Sequence, residues 1–105
     1  MSKYYIEQEY EFIPQCDSDV TFTLRALTAN QRDECISSRI IGGEVEMTIN
    51  KTKLFRYGVK EIENLEVNDK KIKTANDFLN NVVPAIYEEV CSKIIEASAK
   101  KDLKN

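Results

Sequence analysis

The sequence predicts an α+β fold, in which a small N-terminal antiparallel sheet of two to three strands packs with three to four helices. Two observations carry this prediction. Apolar and polar residues alternate with a period of two in the first quarter of the chain, which is typical of half-buried strands. In the second half, apolar residues recur every three or four positions, which is typical of amphipathic helices. The longest helix is predicted at the C-terminus.

The two predicted N-terminal strands are separated by one polar loop. The first runs from Tyr4 to Phe12 and ends before Pro14, and the second runs from Val20 to Ala26. Their apolar residues all fall on one face, and the second strand is rich in residues of high β propensity. Because the strands are close in sequence, we expect them to pair antiparallel.

The middle of the chain is predicted as helix, strand and helix. Thr28 and Gln31 have the spacing of a capping box, and the helix that they open extends through Ile40 to a stop at Gly42-Gly43. Alternation from Val45 to Ile49 indicates a possible third strand. A short helix capped by Asn50 or Thr52 then carries Leu54, Phe55 and Tyr57 and ends near Gly58.

The C-terminal part is predicted to be mainly helical. A tight turn at Asn68-Asp69 joins two short extended pieces, and Thr74 caps a helix that reaches Val83. Pro84 fits the first position of the last helix, because it has no backbone donor to lose there. We expect residues 1–105 to form one domain, with an ordered core at about 4–98 and a frayed tail at 99–105.

Composition disfavours several classes of function. The chain of 105 residues contains no histidine, so Ser-His and Cys-His nucleophile pairs are excluded. Its three cysteines are far apart, and neither a metal-ligand spacing nor a phosphate-binding loop is present. We therefore expect no enzyme activity, no catalytic residue, no cofactor and no metal.

Charge and hydropathy restrict the partners. A net charge of −3, with acids and bases well mixed, does not favour nucleic acid, whose binding depends largely on contacts from Lys and Arg to phosphate. No apolar run reaches transmembrane length, and no signal peptide is visible. We expect a soluble cytoplasmic protein with a protein partner.

The last helix is the predicted partner-binding element, because its apolar residues extend beyond a single stripe. A helix with one side in water needs only one apolar stripe. The additional apolar residues therefore indicate either a central position in the core or a docking surface for a helical partner or a second copy. The candidate binding residues are Ile86, Tyr87, Val90, Ile94 and Ile95.

Two segments resemble the small tail assembly chaperones of long-tailed bacteriophages and related prophages. These segments are FTLRALTANQRDEC (22–35) and LFRYGVKEIENL (54–65), and a helical C-terminal region follows them. The resemblance implies a protein that binds and shields the hydrophobic tape measure protein before tail tube subunits assemble around it in the bacterial cytoplasm. Two alternatives remain open: a virion component such as a head–tail connector or tail terminator, and a small regulatory or nucleic-acid-associated protein of a mobile element.

Overall fold

The structure is a computed structural model that describes residues 1–4 and 9–99, and it confirms the predicted α+β class. Short runs of two or three strands are separated by single helices, and two helices end the chain, of which the last is the longest. In chain order the elements are β1 (Glu9–Phe12), β2 (Thr21–Arg25), α1 (Ala29–Cys35), β3 (Ile36–Ile41), β4 (Glu44–Ile49), α2 (Lys51–Gly58), β5 (Val59–Glu63), β6 (Glu66–Val67), β7 (Lys70–Lys71), α3 (Ala75–Leu79) and α4 (Pro84–Ala99).

The N-terminal sheet has the strand order β1-β2-β5, and both pairs are antiparallel. The predicted pairing of the first two strands is confirmed, although residues 5–8 of the first predicted strand and residues 100–105 of the predicted tail lie outside the described residues. In β2 the alternation holds, since Phe22 and Leu24 are fully buried while Thr21 and Thr23 are half-exposed. The buried side of β2 forms one wall of the core.

The third strand of this sheet is β5, which the sequence reasoning did not predict. The segment predicted as a third strand does form β4, but β4 pairs with β3 in a separate two-stranded sheet. The prediction of one continuous helix from Thr28 to the glycine pair is wrong beyond Cys35. Residues Ile36–Ile41 form a strand, because β-branched side chains favour extended backbone and Gly42-Gly43 makes a two-residue turn with φ of +59° and +84°.

Other local predictions are confirmed. Asn50 caps α2, Thr74 and Asp77 form a capping box at α3, and Pro84 is the first residue of α4. The turn at Asn68-Asp69 joins β6 and β7, with both residues at positive φ. Helix α3 is shorter than predicted and ends at Leu79.

Aromatic rings from the sheet and two helices meet at the centre of the core. Phe22, Phe55 and Phe78 are fully buried, and their ring centroids lie 4.8–6.3 Å apart. Helix α4 packs closely against α2, since a Cβ added to Gly58 would lie 2.6 Å from a methyl carbon of Ile94. Among the described residues, no helix is long and apolar enough to cross a membrane.

Candidate protein-binding surface

The structure places the five predicted binding residues of α4 on the side of the helix that faces the core. Ile86, Val90 and Ile94 are at most 3% exposed, and Tyr87 and Ile95 are half-buried against the same core. Tyr87 stacks near Phe55 and Phe78, with centroid distances of 5.5 and 6.4 Å. Partner binding by these residues stays a prediction, and in this conformation only the outer parts of Tyr87 and Ile95 are accessible for it.

A different apolar surface is exposed, on the β3–β4 hairpin. Every residue from Ser37 to Thr48 is exposed to solvent. The pairing register sorts the side chains onto two faces, since opposite residues in an antiparallel pair lie on the same side. One face is mainly apolar and is called the hairpin face below; it consists of Ile36, Ile40, Val45, Met47 and Ile49, together with Ser38.

The exposure of the hairpin face rises from its base to its tip. Ile36 and Ile49 are half-buried against the core, whereas Ile40, Val45 and Met47 are 75%, 68% and 64% exposed. The opposite face is mostly polar and carries an ion pair of 3.8 Å between Arg39 and Glu46. Large apolar residues gathered on one exposed face are typical of a surface that binds another molecule.

The base of the hairpin is fixed to the body by polar contacts. The Asn50 N–H donates to the Cys35 carbonyl at 2.7 Å, and the Asn50 side chain accepts from the Lys53 N–H at 3.1 Å. Glu34 on α1 accepts a hydrogen bond from the Tyr57 hydroxyl on α2 and lies 3.9 Å from the Lys53 ammonium. These contacts tie the hairpin to α1 and α2, so its direction is set by the folded body.

The described residues include neither a metal-binding cluster nor a thiol of lowered pKa. Among residues 1–4 and 9–99, no group of three or more Cys, Asp or Glu side chains could hold a metal ion. Burial raises the pKa of the Cys91 thiol to about 11 and also raises the pKa of Cys35. The exposed Cys16 thiol has a raised pKa because it hydrogen-bonds to the Glu89 carboxylate. All three thiols are therefore poor nucleophiles at neutral pH.

Glu89 links α4 to the loop that follows β1. Its carboxylate accepts hydrogen bonds from the Gln15 and Cys16 N–H groups at 2.9 and 3.0 Å. The Cys16 side chain and these two N–H groups lower the pKa of Glu89. Because the folded-state pKa lies below the unfolded value, this group stabilises the fold above the unfolded pKa, and that stabilisation is lost as the pH falls through the folded pKa.

The Glu89 contact predicts the effect of the substitution Glu89→Gln on thiol reactivity. Without the carboxylate, the Cys16 pKa should fall, so iodoacetamide should modify Cys16 several-fold faster at pH 8, as followed by mass spectrometry. Cys35 and Cys91 should react only in denaturant, because both are buried. Glu88→Gln is the matched control, since Glu88 pairs with Lys51 instead. Equal Cys16 rates in wild type and Glu89→Gln would contradict the assignment.

Comparison of the chain with protein-family models, with curated proteins and with solved structures finds no match.

The sequence reasoning missed the hairpin face because it assigned Ile40 to the core-facing side of a helix. The signal that identifies the hairpin was available: two glycines stand between two runs rich in β-branched residues. The exposure of the hairpin face could not be predicted in this way. Alternation shows which residues share a face, but it does not show whether another part of the fold covers that face.

Proposed function

We propose that this protein is a non-enzymatic phage tail assembly chaperone, which binds and shields hydrophobic segments of the tape measure protein in the cytoplasm of the bacterial host. The observation that carries the proposal is the hairpin face, whose outer side chains Ile40, Val45 and Met47 are exposed to solvent. The resemblance of residues 22–35 and 54–65 to tail assembly chaperones supplies the kind of client.

The strength of such a contact suits a chaperone that must later release its client. Burying a Val, Ile or Met side chain contributes about 1.5–3 kcal/mol. Because Ile40, Val45 and Met47 are 64–75% exposed, covering all three contributes about 3–6 kcal/mol in total. Because association itself costs free energy, one copy would bind only weakly. Copies that also contact one another along one long client would hold it more firmly, and tail tube subunits could still displace each copy.

The hairpin geometry also fits an apolar client. The face is presented on a two-stranded sheet whose base is fixed, so little conformational entropy is lost when the face is covered. Its polar side, with Arg39, Glu44 and Glu46, stays in water and keeps the complex soluble. If an amphipathic helix of the client lay across the hairpin face, the apolar stripe of that helix would be buried.

The direct test is co-expression with the tape measure protein of the phage or prophage that encodes this chain. Wild-type protein should keep the tape measure protein in the soluble fraction and co-purify with it. Met47→Asp should reduce the co-purified amount at least tenfold, because it places a charge in the covered face. The melting temperature should change little, since Met47 is exposed.

The matched control is Ser37→Asp, which adds the same charge to the opposite face of the hairpin at another exposed position. It should behave as wild type in both measurements. The proposal is rejected if wild-type protein does not co-purify with the tape measure protein. Equal retention by Met47→Asp would remove the hairpin face from the mechanism, and lasting presence of the chain in purified particles would favour a virion component.

A further inference from the structure

We infer that the free edge of β4 binds the same edge of a second copy of this chain, forming a four-stranded antiparallel sheet with a two-fold axis at Met47. The inference goes beyond the proposed function, because it concerns the edge of the hairpin and not the face that would cover a client. It follows from the pairing of β4, from the size of the body and from the positions of the charges.

The β4 edge carries two charged residues, Glu44 and Glu46, but few of the other features that usually protect an edge strand. Within residues 1–4 and 9–99, β4 pairs with β3 alone, and the two strands form a two-stranded sheet. Its six residues, EVEMTI, include neither proline nor lysine, and the register has no bulge. By contrast, the β2–β5 pair contains a register shift between Thr23 and Leu24.

The turn determines which backbone groups face the free edge. A two-residue turn is closed by a hydrogen-bonded pair, here Ile41 and Glu44, and such pairs alternate along an antiparallel ladder. The N–H and C=O groups of Glu44, Glu46 and Thr48 are therefore directed at β3. Those of Val45, Met47 and Ile49 point outward, so the edge offers a regular set of donors and acceptors.

The size of the body selects the direction of the added strand. If a second hairpin joined in the same direction, the two bodies would be separated by two strand spacings, which is about 10 Å. The smallest extent of the molecule is 22 Å, so the two bodies would collide. An antiparallel β4–β4 contact places the bodies at opposite ends of the sheet. The β4–β4 pairing is therefore two-fold, and each copy uses its β4 edge once.

The charges select the register. Two registers pair five residues of each β4 strand, one centred on Glu46 and one on Met47. The first places Glu46 directly opposite its own copy, which is unfavourable for like charges. The second places Glu46 opposite Thr48 of the second copy and Val45 opposite Ile49. It also brings Glu44 opposite the neutral Asn50, so no like charges stand directly opposite each other.

The dimer would be weak and dependent on concentration. The 14 residues from Ile36 to Ile49 are fewer than the roughly 20–30 per partner of a standard interface. Pairing leaves the hairpin faces of the two copies side by side on one side of the sheet. A four-stranded sheet with a doubled apolar face would therefore be available to a long client.

Disulfide trapping tests the register. All variants carry Cys16→Ser, because Cys16 is exposed while Cys35 and Cys91 are buried. With Met47→Cys, the two introduced thiols lie directly opposite at a Cα separation of about 5.5 Å, which suits a disulfide. With Val45→Cys, they lie four residues apart along the strands, about 13 Å, and cannot join. Oxidised glutathione should therefore convert most of Met47→Cys, and little of Val45→Cys, to a covalent dimer on non-reducing gels.

Sedimentation of the unmodified chain provides the second measurement. The molecular mass that it gives should rise from that of a monomer to that of a dimer as the protein concentration increases. Equal cross-linking of Met47→Cys and Val45→Cys, or a constant monomer mass with no cross-linking, would overturn the inference. Both variants alter exposed residues, so circular dichroism should show unchanged folding. A monomeric chain that still retains the tape measure protein would reject the dimer alone, and a dimeric chain that does not retain it would reject the proposed function alone.

Discussion

Phe55→Ala is expected to lower the free energy of unfolding by about 3–5 kcal/mol, the usual cost of truncating a fully buried phenylalanine. Phe55 has no solvent exposure, and its ring stacks on Phe78 at 4.8 Å and meets the edge of Phe22 at 6.3 Å. Since domains of this size are stable by about 5–15 kcal/mol, the variant would lose at least about a fifth of its stability. Urea denaturation followed by circular dichroism measures the loss.

The expected loss is large because the Phe55 ring contacts aromatic side chains from three other elements. Phe22 comes from β2, Phe55 from α2 and Phe78 from α3, while Tyr87 of α4 lies 5.5 Å from Phe55. A cavity at this point therefore removes contacts from several elements at once. Phe12→Ala is the matched control, because Phe12 lies on edge strand β1 and is only half-buried. If Phe55→Ala lost no more than Phe12→Ala, the aromatic cluster would not be the centre of the core.

Local sequence signals predicted the ends of several elements correctly. The Thr28–Gln31 and Thr74–Asp77 boxes are both present, with each side chain bonded to the other residue's backbone N–H. Pro84 is the first residue of α4, as predicted. The N–H groups in the first turn of a helix are unpaired, so a proline, which has no N–H, loses nothing there. Such signals are reliable because they depend on residues only three or four positions apart.

Predictions that depended on apolar spacing were less successful. Ile36 and Ile40 are four residues apart, which fits one face of a helix, and the same two positions also fit one face of a strand. Gly42-Gly43 favours the strand over the helix only if the pair is interpreted as the turn of a hairpin. Strand β5 was missed for a different reason, since its partner β2 lies more than 30 residues away and only the folded sheet brings them together.

The candidate binding surface was the least predictable feature. An apolar residue looks the same in the sequence whether the fold covers it, as with Val90 and Ile94, or leaves it exposed, as with Val45 and Met47. Coverage depends on tertiary packing, which spacing along the chain does not determine. The apolar residues of α4 that lie beyond a single stripe, Tyr87 and Ile95, are half-buried against the core.

Removing the outer hairpin is expected to abolish client retention without unfolding the body. In this variant, the pair Asn-Gly replaces residues 38–47, so that a two-residue turn joins Ser37 directly to Thr48. Ser37 and Thr48 are register partners and, by the alternation from the turn, a hydrogen-bonded pair that such a turn can close. The shortened hairpin keeps Ile36 and Ile49, which pack against the core, and the bond from the Asn50 N–H to the Cys35 carbonyl.

The body should tolerate this change because every residue that is removed is exposed. We expect the melting temperature to stay within a few degrees of wild type, while co-purification of the tape measure protein and the concentration-dependent dimer are both lost. Retention of the tape measure protein by the shortened chain would move the binding surface elsewhere, and the outer parts of Tyr87 and Ile95 on α4 would then be the next residues to test. Unfolding would instead show that the hairpin stabilises the body, which its exposed position does not lead us to expect.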